Sequence, residues 1–306
     1  MLSVPDAIGT AVKYSIVIPC RNRPADLKRA IATCLAQSVT DLEVIVIDDF
    51  STEDVASVCA EFDDPRIRYF RNPVNLGVSK SRNAGIEAAR GDFVLFLDSD
   101  DEYLPNKMAA VEAALAAHPE AAVFFHAQRW LLSDRQVGTI PGRPPRPGER
   151  LDEFILLNGN HCQTNSYIIR RDIALKVRFD ENCSLFEDTK FIIECSFAAG
   201  GYVFIEDVLS IYDDRNASAR LSKMIDETRM TTFMRFVETK CSPVARAGFF
   251  ALMCGYIDFW RHPQRVTAGL WNGFNSGVGK KRIVLYFLRS AVGAGRINRM
   301  LAGLRQ

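Results

Sequence analysis

The chain has 306 residues, 48% of them hydrophobic and 25% charged, which suffices for one large α/β domain with an appendage or for two domains. Its formal net charge of +1 is uneven, because residues 280–306 hold seven Lys and Arg and no acid, which leaves −6 for residues 1–279. A mildly acidic body argues against a nucleic-acid-binding protein.

Cysteine usage and hydropathy exclude further classes of protein. The eight cysteines form no C-x-x-C pair, and several lie in apolar runs. Reduced core cysteines of cytosolic proteins have this distribution, so we expect neither disulfides nor a zinc site. The first 13 residues lack the apolar segment of a signal peptide. The longest apolar run, residues 247–257, has about half the length that spans a bilayer. We therefore expect a cytoplasmic protein.

Strand and helix patterns alternate through the first 118 residues. Short apolar runs rich in β-branched residues predict buried strands at residues 14–19, 42–48, 67–70 and 93–98. Helical periodicity and helix-end signals predict helices at residues 24–37, 54–61, 78–90 and 105–118. Apolar strands separated by helices indicate a parallel sheet covered on both faces, whose ligands bind beyond the carboxyl ends of the strands.

The pattern changes beyond residue 120. Strand-like segments are predicted at residues 121–133, 166–171, 202–206 and 209–213. A Pro/Gly/Arg-rich stretch at 141–150 is typical of a surface loop, and residues 187–199 form a predicted amphipathic helix. From about residue 222 onward the chain is predicted to be helical, with no motif that carries chemistry.

Three aspartates, Asp98, Asp100 and Asp101, lie at the carboxyl end of the fourth predicted strand, in the run LFLDSDD at residues 95–101. Alternation along a strand would place Asp98 and Asp100 on the same side, where two carboxylates repel each other unless a cation lies between them. Hard oxygen ligands favour Mg²⁺ or Mn²⁺, which keep coordination positions open for phosphates. A solvated acidic turn explains the D-x-D pattern alone equally well.

Two further polar segments reach the same predicted edge. In VIVIDDFST, residues 44–52, Asp49 can accept a hydrogen bond from a nucleotide base or ribose, while Ser51 or Thr52 could instead cap the next helix. In NLGVSKSRNAG, residues 75–85, the guanidinium fork of Arg82 suits a diphosphate, with a surface arginine as the alternative.

The runs SIVIPCRNR, VIVIDDFST, NLGVSKSRNAG and LFLDSDD occur in order and at the usual separations. Together they resemble the nucleotide-sugar-binding half of family-2 inverting glycosyltransferases with the GT-A fold, over about residues 14–215. The resemblance implies a Rossmann-like, mostly parallel sheet flanked by helices. It makes residues 1–221 a GT-A catalytic domain that binds nucleotide sugar and acceptor, and residues 222–306 a helical region with a basic amphipathic tail.

The resemblance also implies roles for single residues. Pro19 and Asp49 would line the base pocket, with Asp49 contacting uracil, and Arg82 would face the base or the diphosphate. Asp98 and Asp100 would hold ribose and a Mn²⁺ or Mg²⁺ ion, with Asp100 as the direct ligand.

The run FDENCSLFEDTKFIIECSFAAG, residues 179–200, is similar to the family's acceptor segment, in which an acidic pair opens a helix and the second acid is the catalytic base. In this chain that pair is Glu187 and Asp188. We therefore expect Asp188 to take the proton of an acceptor hydroxyl. The helix macrodipole favours acids at this end, which explains the pair without catalysis and would lower the pKa of Asp188 slightly.

Two departures from the family pattern refine the expected activity. The Q-x-x-R-W motif and spanning helices of processive synthases are missing, which favours transfer of one sugar or a few. The His or Arg that often follows the last strand has only loose counterparts, Arg215 or Arg220. The expected partners are a nucleoside-diphosphate sugar, for which the resemblance implies a UDP-sugar, and a glycan or lipid-linked acceptor, with no nucleic acid.

Other functions stay open at the level of sequence. A nucleotidyltransferase would usually carry a glycine-rich basic loop after the first strand, where PCRNRP has no glycine. A catalytically inactive binding subunit is disfavoured by the presence of Asp49, Asp98, Asp100 and Asp188. The basic tail could lie on an anionic membrane or pack on the catalytic domain. His161 is the remaining polar candidate near the acceptor, with a structural role as its alternative.

Overall fold

The computed structural model of the protein describes residues 12–132, 135–158, 160, 163–214, 227–255 and 260–292. Its contacts divide the chain into two compact units, Met1–Pro144 with Cys162–Phe233 and Pro145–His161 with Met234–Gln306. The short segment 145–161 therefore belongs with the C-terminal helices. The domain boundary expected at residue 221 falls outside the described ranges and stays a prediction.

The amino-terminal half of the first unit is a parallel sheet, as the apolar runs predict. Its strands, in the spatial order β3-β2-β1-β4, are β1 (Tyr14–Cys20), β2 (Leu42–Asp48), β3 (Ile67–Arg71) and β4 (Phe93–Phe96). Helices of this half are α1 (Pro24–Leu35), α2 (Val55–Ala60), α3 (Val78–Ala88) and α4 (Lys107–Ala117). Every residue of β1 and β2 is buried, because helices cover both faces of the sheet.

The second half of the sheet mixes parallel and antiparallel strands. It adds β5 (Glu102–Tyr103), β6 (Val123–Leu132), β7 (Arg135–Ile140), β8 (Tyr167–Arg170) and β9 (Val203–Asp213). The order continues β4-β8-β6-β9-β5, with β7 on β6, which makes nine strands among the described residues. Two helices of this half are α6 (Arg171–Val177) and α7 (Glu187–Ala199). The fold class predicted from the sequence is confirmed.

One strand differs from its prediction. Residues 202–206 and 209–213 were expected to form two short strands, but they form the single strand β9. The pairing of β9 with β6 shifts register between Ile205 and Val208, so the exposed acids Glu206 and Asp207 bulge out of the ladder without ending the strand.

A close helix–strand contact positions one candidate site residue. Gly85 of α3 lies directly against Val17 of β1, and a Cβ atom at Gly85 would overlap the Val17 side chain. The missing side chain lets α3 approach the sheet closely. Arg82, less than one turn before Gly85, is thereby held against the end of β4.

The second unit is helical, which confirms the expectation of a helical C-terminal region. Its helices are α5 (Leu151–Asn158), α9 (Pro243–Cys254), α10 (Pro263–Asn275) and α11 (Lys280–Val292), and α8 (Glu227–Lys240) crosses the boundary between the units. Ser242 caps α9 through a 3.1 Å bond from the Ala245 amide, and its own amide donates to Asp152 of α5. Within the described part of the chain, no helix is long and apolar enough to cross a membrane.

Candidate functional site

Asp48, the last residue of β2, is fully buried and holds the strand end together. Its carboxylate accepts hydrogen bonds from the Ser51 amide at 2.8 Å, the Tyr69 hydroxyl at 2.7 Å and the Arg71 guanidinium at 2.5 Å. Burial alone raises the pKa of Asp48, but the hydrogen bonds from Ser51 and Tyr69 and the charge of Arg71 outweigh it and lower that pKa. Asp48 is thus a structural carboxylate.

Asp49 braces the turn that leads into α3. Its carboxylate accepts from the backbone amides of Leu76 and Gly77, both at 2.8 Å, and from the Asn72 side chain at 2.9 Å. Gly77 has a φ of 88°, a conformation that favours glycine. A carboxylate offers about four acceptor positions, so these three bonds leave little capacity for a base. The contact of Asp49 with uracil stays a prediction, as does the pocket role of Pro19, which pairs with Ile47 in the sheet.

The alternative helix cap proposed for this segment is wrong. The cap of α2 is Asp54, whose carboxylate accepts from the Ser57 amide at 3.0 Å and from the Ser57 hydroxyl at 2.6 Å. Ser51 and Thr52 lie before the helix begins, and the Thr52 amide donates to Asn22 instead. Neither Asp48 nor Asp49 caps a helix: Asp48 stabilises the end of β2, and Asp49 stabilises the turn before α3.

Asp98 and Asp100 lie in a turn and not on the strand itself. β4 ends at Phe96, and a 2.9 Å bond from the Asp101 amide to the Asp98 carbonyl closes the turn. The expected alternation along a strand is therefore wrong as the reason for their placement. Asp100 accepts from Arg23, in the loop after β1, at 2.5 Å.

Asp101, the third aspartate of the run, has a structural role. It is buried, and its two oxygens accept from the Asn165 side chain at 2.6 Å and from the Asp213 amide at 3.0 Å. These bonds tie the turn after β4 to the end of β9 and to the 3₁₀ turn Thr164–Ser166. The rigid attachment of Asp101 holds its neighbour Asp100 in place.

Arg82 joins the turn after β4 to the start of α7. Its buried guanidinium donates to Asp98 at 2.7 Å, to Glu187 at 3.2 Å and to the Thr164 hydroxyl at 3.4 Å. It also lies over the ring of Phe179, 5.2 Å from the ring centre. Burial lowers the pKa of Arg82, but the charges of Asp98 and Glu187 outweigh it and raise that pKa, so the side chain is permanently charged.

Aromatic packing fixes α7 beside the sheet. The rings of Phe191, on α7, and Phe179 stack with centroids 4.0 Å apart, and both meet Phe96 at the end of β4 edge-on. Asn83 of α3 secures the backbone of Phe179 through two hydrogen bonds, at 2.8 and 2.9 Å. The apolar face of α7 therefore directs its first turn, with Glu187 and Asp188, toward the carboxyl ends of the strands.

Asp188 is half-buried in the first turn of α7. One of its oxygens accepts from the Thr189 amide at 2.6 Å. Burial raises the pKa of Asp188 to about 7; the charge of Glu187 adds to this effect, while Arg82 opposes it. The slight lowering expected from the helix end is therefore wrong, because desolvation and the neighbouring acid dominate. A carboxylate with this pKa suits a general base near neutral pH.

A divalent cation such as Mg²⁺ requires several oxygen ligands. No group of three or more His, Cys, Asp or Glu side chains within the described ranges could hold a metal ion. Mg²⁺ at nucleotide sites can be held by only one or two carboxylates, with phosphates and water completing its coordination, so a site made of Asp98 and Asp100 stays a prediction. Both carboxylates pair with arginines, so a cation would compete with a guanidinium for their oxygens.

Sequence patterns did not indicate several residues that complete this site. Thr164 and Phe179 both contact Arg82. They lie in the segments 158–165 and 179–200 that the sequence places near the acceptor, but no role was assigned to either residue. The pairing of Arg23 with Asp100 joins residues 77 positions apart. The one sequence signal that Arg23 would lie near Asp100 is its position beyond the carboxyl end of the first predicted strand. His161, Arg215 and Arg220 lie outside the described residues.

Comparisons with known proteins bear on the family. The glycosyl transferase family 2 model matches residues 15–178, more than half of the chain. An uncharacterized glycosyltransferase of Haemophilus influenzae is 30% identical over 184 residues, which cover 59% of this chain and 70% of that protein. The GalNAc(5)-diNAcBac-PP-undecaprenol beta-1,3-glucosyltransferase of Campylobacter jejuni is 40% identical over 102 residues, which cover 32% of this chain and only 33% of that protein.

A similar fold occurs in a solved structure. S. aureus TarS in complex with UDP-GlcNAc matches with a TM-score of 0.67 and 17% sequence identity, covering 90% of this chain and 84% of that chain. This likeness supports the GT-A fold that the family resemblance implies. The extent of the family match, together with the Haemophilus relative, establishes that the chain belongs to glycosyl transferase family 2.

Proposed function

We propose that the chain transfers a sugar from a UDP-sugar to a hydroxyl of a glycan or lipid-linked acceptor, with inversion at the anomeric carbon and without processive polymerisation. The observation that carries this proposal is the bridge made by Arg82 between Asp98 and Glu187. This bridge places the first turn of α7, which contains Asp188, beside the turn after β4, which contains Asp98 and Asp100. TarS, whose structure contains UDP-GlcNAc, and the Campylobacter enzyme, named for an undecaprenol-linked acceptor, support the choice of substrates.

In the proposed reaction Asp188 is the general base. A sugar hydroxyl is a weak nucleophile at neutral pH, so a carboxylate has to accept its proton as the new bond forms. The raised pKa of Asp188 matches this task. The acceptor oxygen attacks the anomeric carbon from the face opposite the diphosphate, the bond to the diphosphate breaks, and UDP leaves. This displacement requires no covalent intermediate on the enzyme.

The remaining residues bind and orient the donor. We assign Pro19 and Asp49 to the base pocket and Asp98 to the ribose side of the donor. Asp100, with Asp98, would hold Mn²⁺ or Mg²⁺, which offsets the negative charge of the departing diphosphate. Arg82 fixes the relative position of Asp98 and the acidic pair, and its charge adds positive potential near the diphosphate. We place the enzyme in the cytoplasm, in peripheral contact with an anionic membrane.

The Asp188→Asn variant tests the assignment. We expect sugar transfer to fall by about a hundredfold or more, while UDP affinity measured by calorimetry stays near the wild-type value. Glu194→Gln is the matched control, because Glu194 lies on the same helix and pairs with Lys190 at 2.7 Å, away from the acidic pair. Near-native transfer by Asp188→Asn would make the acidic pair a helix-end feature only.

The donor class has its own test. We expect UDP to stabilise the protein against thermal unfolding more than GDP or ADP in the presence of Mn²⁺, since a ligand of the native state raises the melting temperature by mass action. A larger shift with GDP would overturn the uridine assignment.

A nucleotidyltransferase is the alternative enzyme, and it has a separate test. Pyrophosphate released from a nucleoside triphosphate would support a nucleotidyltransferase in place of sugar transfer.

A further inference from the structure

Exposed apolar side chains are concentrated in one short part of the C-terminal unit. Of the twelve exposed large hydrophobic residues among those described, seven lie within residues 260–292. Trp260 is 75% exposed and Trp271 is 64% exposed. Single exposed hydrophobic residues are ordinary, whereas such a concentration marks an interaction surface.

Helix α11 carries apolar residues on two faces. Tyr286 is buried in the core of the unit with Val266 and Leu270. Val284, Leu288 and Val292 recur every four residues, so they lie along one side of the helix, and all three are exposed. A helix that only packed on its own unit would not need this second apolar side.

Helix α10 has the same organisation. Val266, Leu270 and Gly273 are buried, while Trp271 and Phe274 on the same helix are exposed. The rings of these two aromatic residues lie with centroids 6.2 Å apart. α10 therefore also presents an apolar side that the described part of its own unit leaves uncovered.

The charge of the segment indicates what covers this surface. Residues 260–292 contain six basic residues and no acid: Arg261, Arg265, Lys280, Lys281, Arg282 and Arg289. Basic residues interspersed with exposed Trp and Phe are the pattern of helices that lie in the interface of an anionic bilayer. A neutral apolar partner would not require this one-sided charge.

We propose that the α10–α11 surface, formed by Trp271, Phe274, Val284, Phe287 and Leu288 with Lys280 and Lys281, docks on a bilayer that contains anionic lipid. The apolar side chains enter the headgroup region, and the lysines pair with lipid phosphates. This inference names the surface for the membrane contact in the proposed function. It is independent of the transfer chemistry, because none of these residues belongs to the candidate site.

Vesicle flotation of the full chain tests the proposal. We expect the protein to float with vesicles of phosphatidylcholine and phosphatidylglycerol at low salt, and to stay unbound with phosphatidylcholine alone. The charge reversal Lys280→Glu with Lys281→Glu should weaken binding about tenfold or more, as should Trp271→Ser with Phe287→Ser. The controls are Lys176→Glu and Phe197→Ser, which change exposed residues of the first unit and should bind like wild type.

Because the altered side chains are exposed, both double variants should unfold at the wild-type temperature, and donor binding should be unchanged in them. Three results would overturn the proposal: no flotation of the wild type with anionic vesicles, equal flotation with neutral vesicles, or undiminished binding by both double variants. A dimer that forms through this surface in light scattering, without flotation, would assign it to a second copy of the chain instead.

Discussion

Arg23 Nη1 lies 2.5 Å from Asp100 Oδ2, so the carboxylate that the family resemblance assigns to a metal ion is ion-paired with the loop after β1. Arg82 Nη2 lies 2.7 Å from Asp98 Oδ1 in the same way. The Arg23 side chain is the more exposed of the two arginines, 38% against 5%. Of the two guanidiniums, that of Arg23 can therefore move away more readily when a cation or a diphosphate arrives.

We expect Arg23→Met to bind Mn²⁺ about threefold to tenfold more tightly than the wild type in the absence of nucleotide, because a competing positive charge is removed from Asp100. Electron paramagnetic resonance of free Mn²⁺ measures this affinity. Lys28→Met is the control. Lys28 lies on α1, the helix that Arg23 precedes, and the change removes only its exposed ion pair with Glu61, so the Mn²⁺ affinity should stay unchanged. Weaker binding by Arg23→Met would show that Arg23 does not compete with the metal.

Removing either carboxylate of the turn should abolish metal-dependent nucleotide binding without unfolding the protein. Asp98→Ala and Asp100→Ala leave the buried anchor Asp101 in place, so the turn keeps its attachment to Asn165 and β9. Calorimetric titration of UDP with and without Mn²⁺ checks this expectation, and thermal unfolding checks the fold. Unchanged UDP affinity in both variants would refute the metal site.

The pH dependence of transfer should report Asp188. The base must be deprotonated, so kcat/KM should rise with pH up to about 7 and level off above it. Glu187→Gln should move this rise to lower pH, because the negative charge of Glu187 raises the pKa of Asp188. A rise that stays at the same pH in Glu187→Gln would exclude Asp188 as the titrating group.

Asp188 should also reduce stability at neutral pH. Its folded pKa of about 7 exceeds the ordinary value, so the unfolded chain loses this proton first and the stability falls as pH rises from about 4 to 7. Asp188→Asn should therefore be more stable than the wild type at pH 8, by about 1–2 kcal/mol after allowance for partial exposure. Urea unfolding at pH 8 and pH 4 measures the difference, which should vanish at the lower pH.

Gly85→Ala should destabilise the first unit. The added methyl group overlaps Val17, which is fully buried in β1 and has no room to move, so we expect a loss of about 1–3 kcal/mol. Gly201→Ala is the control, because no atom lies within 4 Å of its added Cβ. Combining Gly85→Ala with Val17→Ala should cost less than the sum of the two single changes, and a strictly additive result would contradict the overlap.

The sequence by itself determined the parallel half of the sheet and the family. The apolar runs of β1, β2 and β4 are fully or largely buried, and burial on both faces produces a pattern that can be read without coordinates. The same local signals predicted α7 as residues 187–199, with its apolar face and acidic first turn. Such features depend on neighbours a few positions apart in the chain.

Only the tertiary structure decided which polar groups meet. Arg82 joins Asp98 and Glu187, residues 16 and 105 positions away, and burial of the resulting cluster raises the pKa of Asp188 against the local effect of the helix end. The placement of Asp98 and Asp100 in a turn, and of Asp101 as a buried anchor, depends on bonds to the distant Asn165 and Asp213. Desolvation and long-range pairing are properties of the folded chain, so no local pattern encodes them.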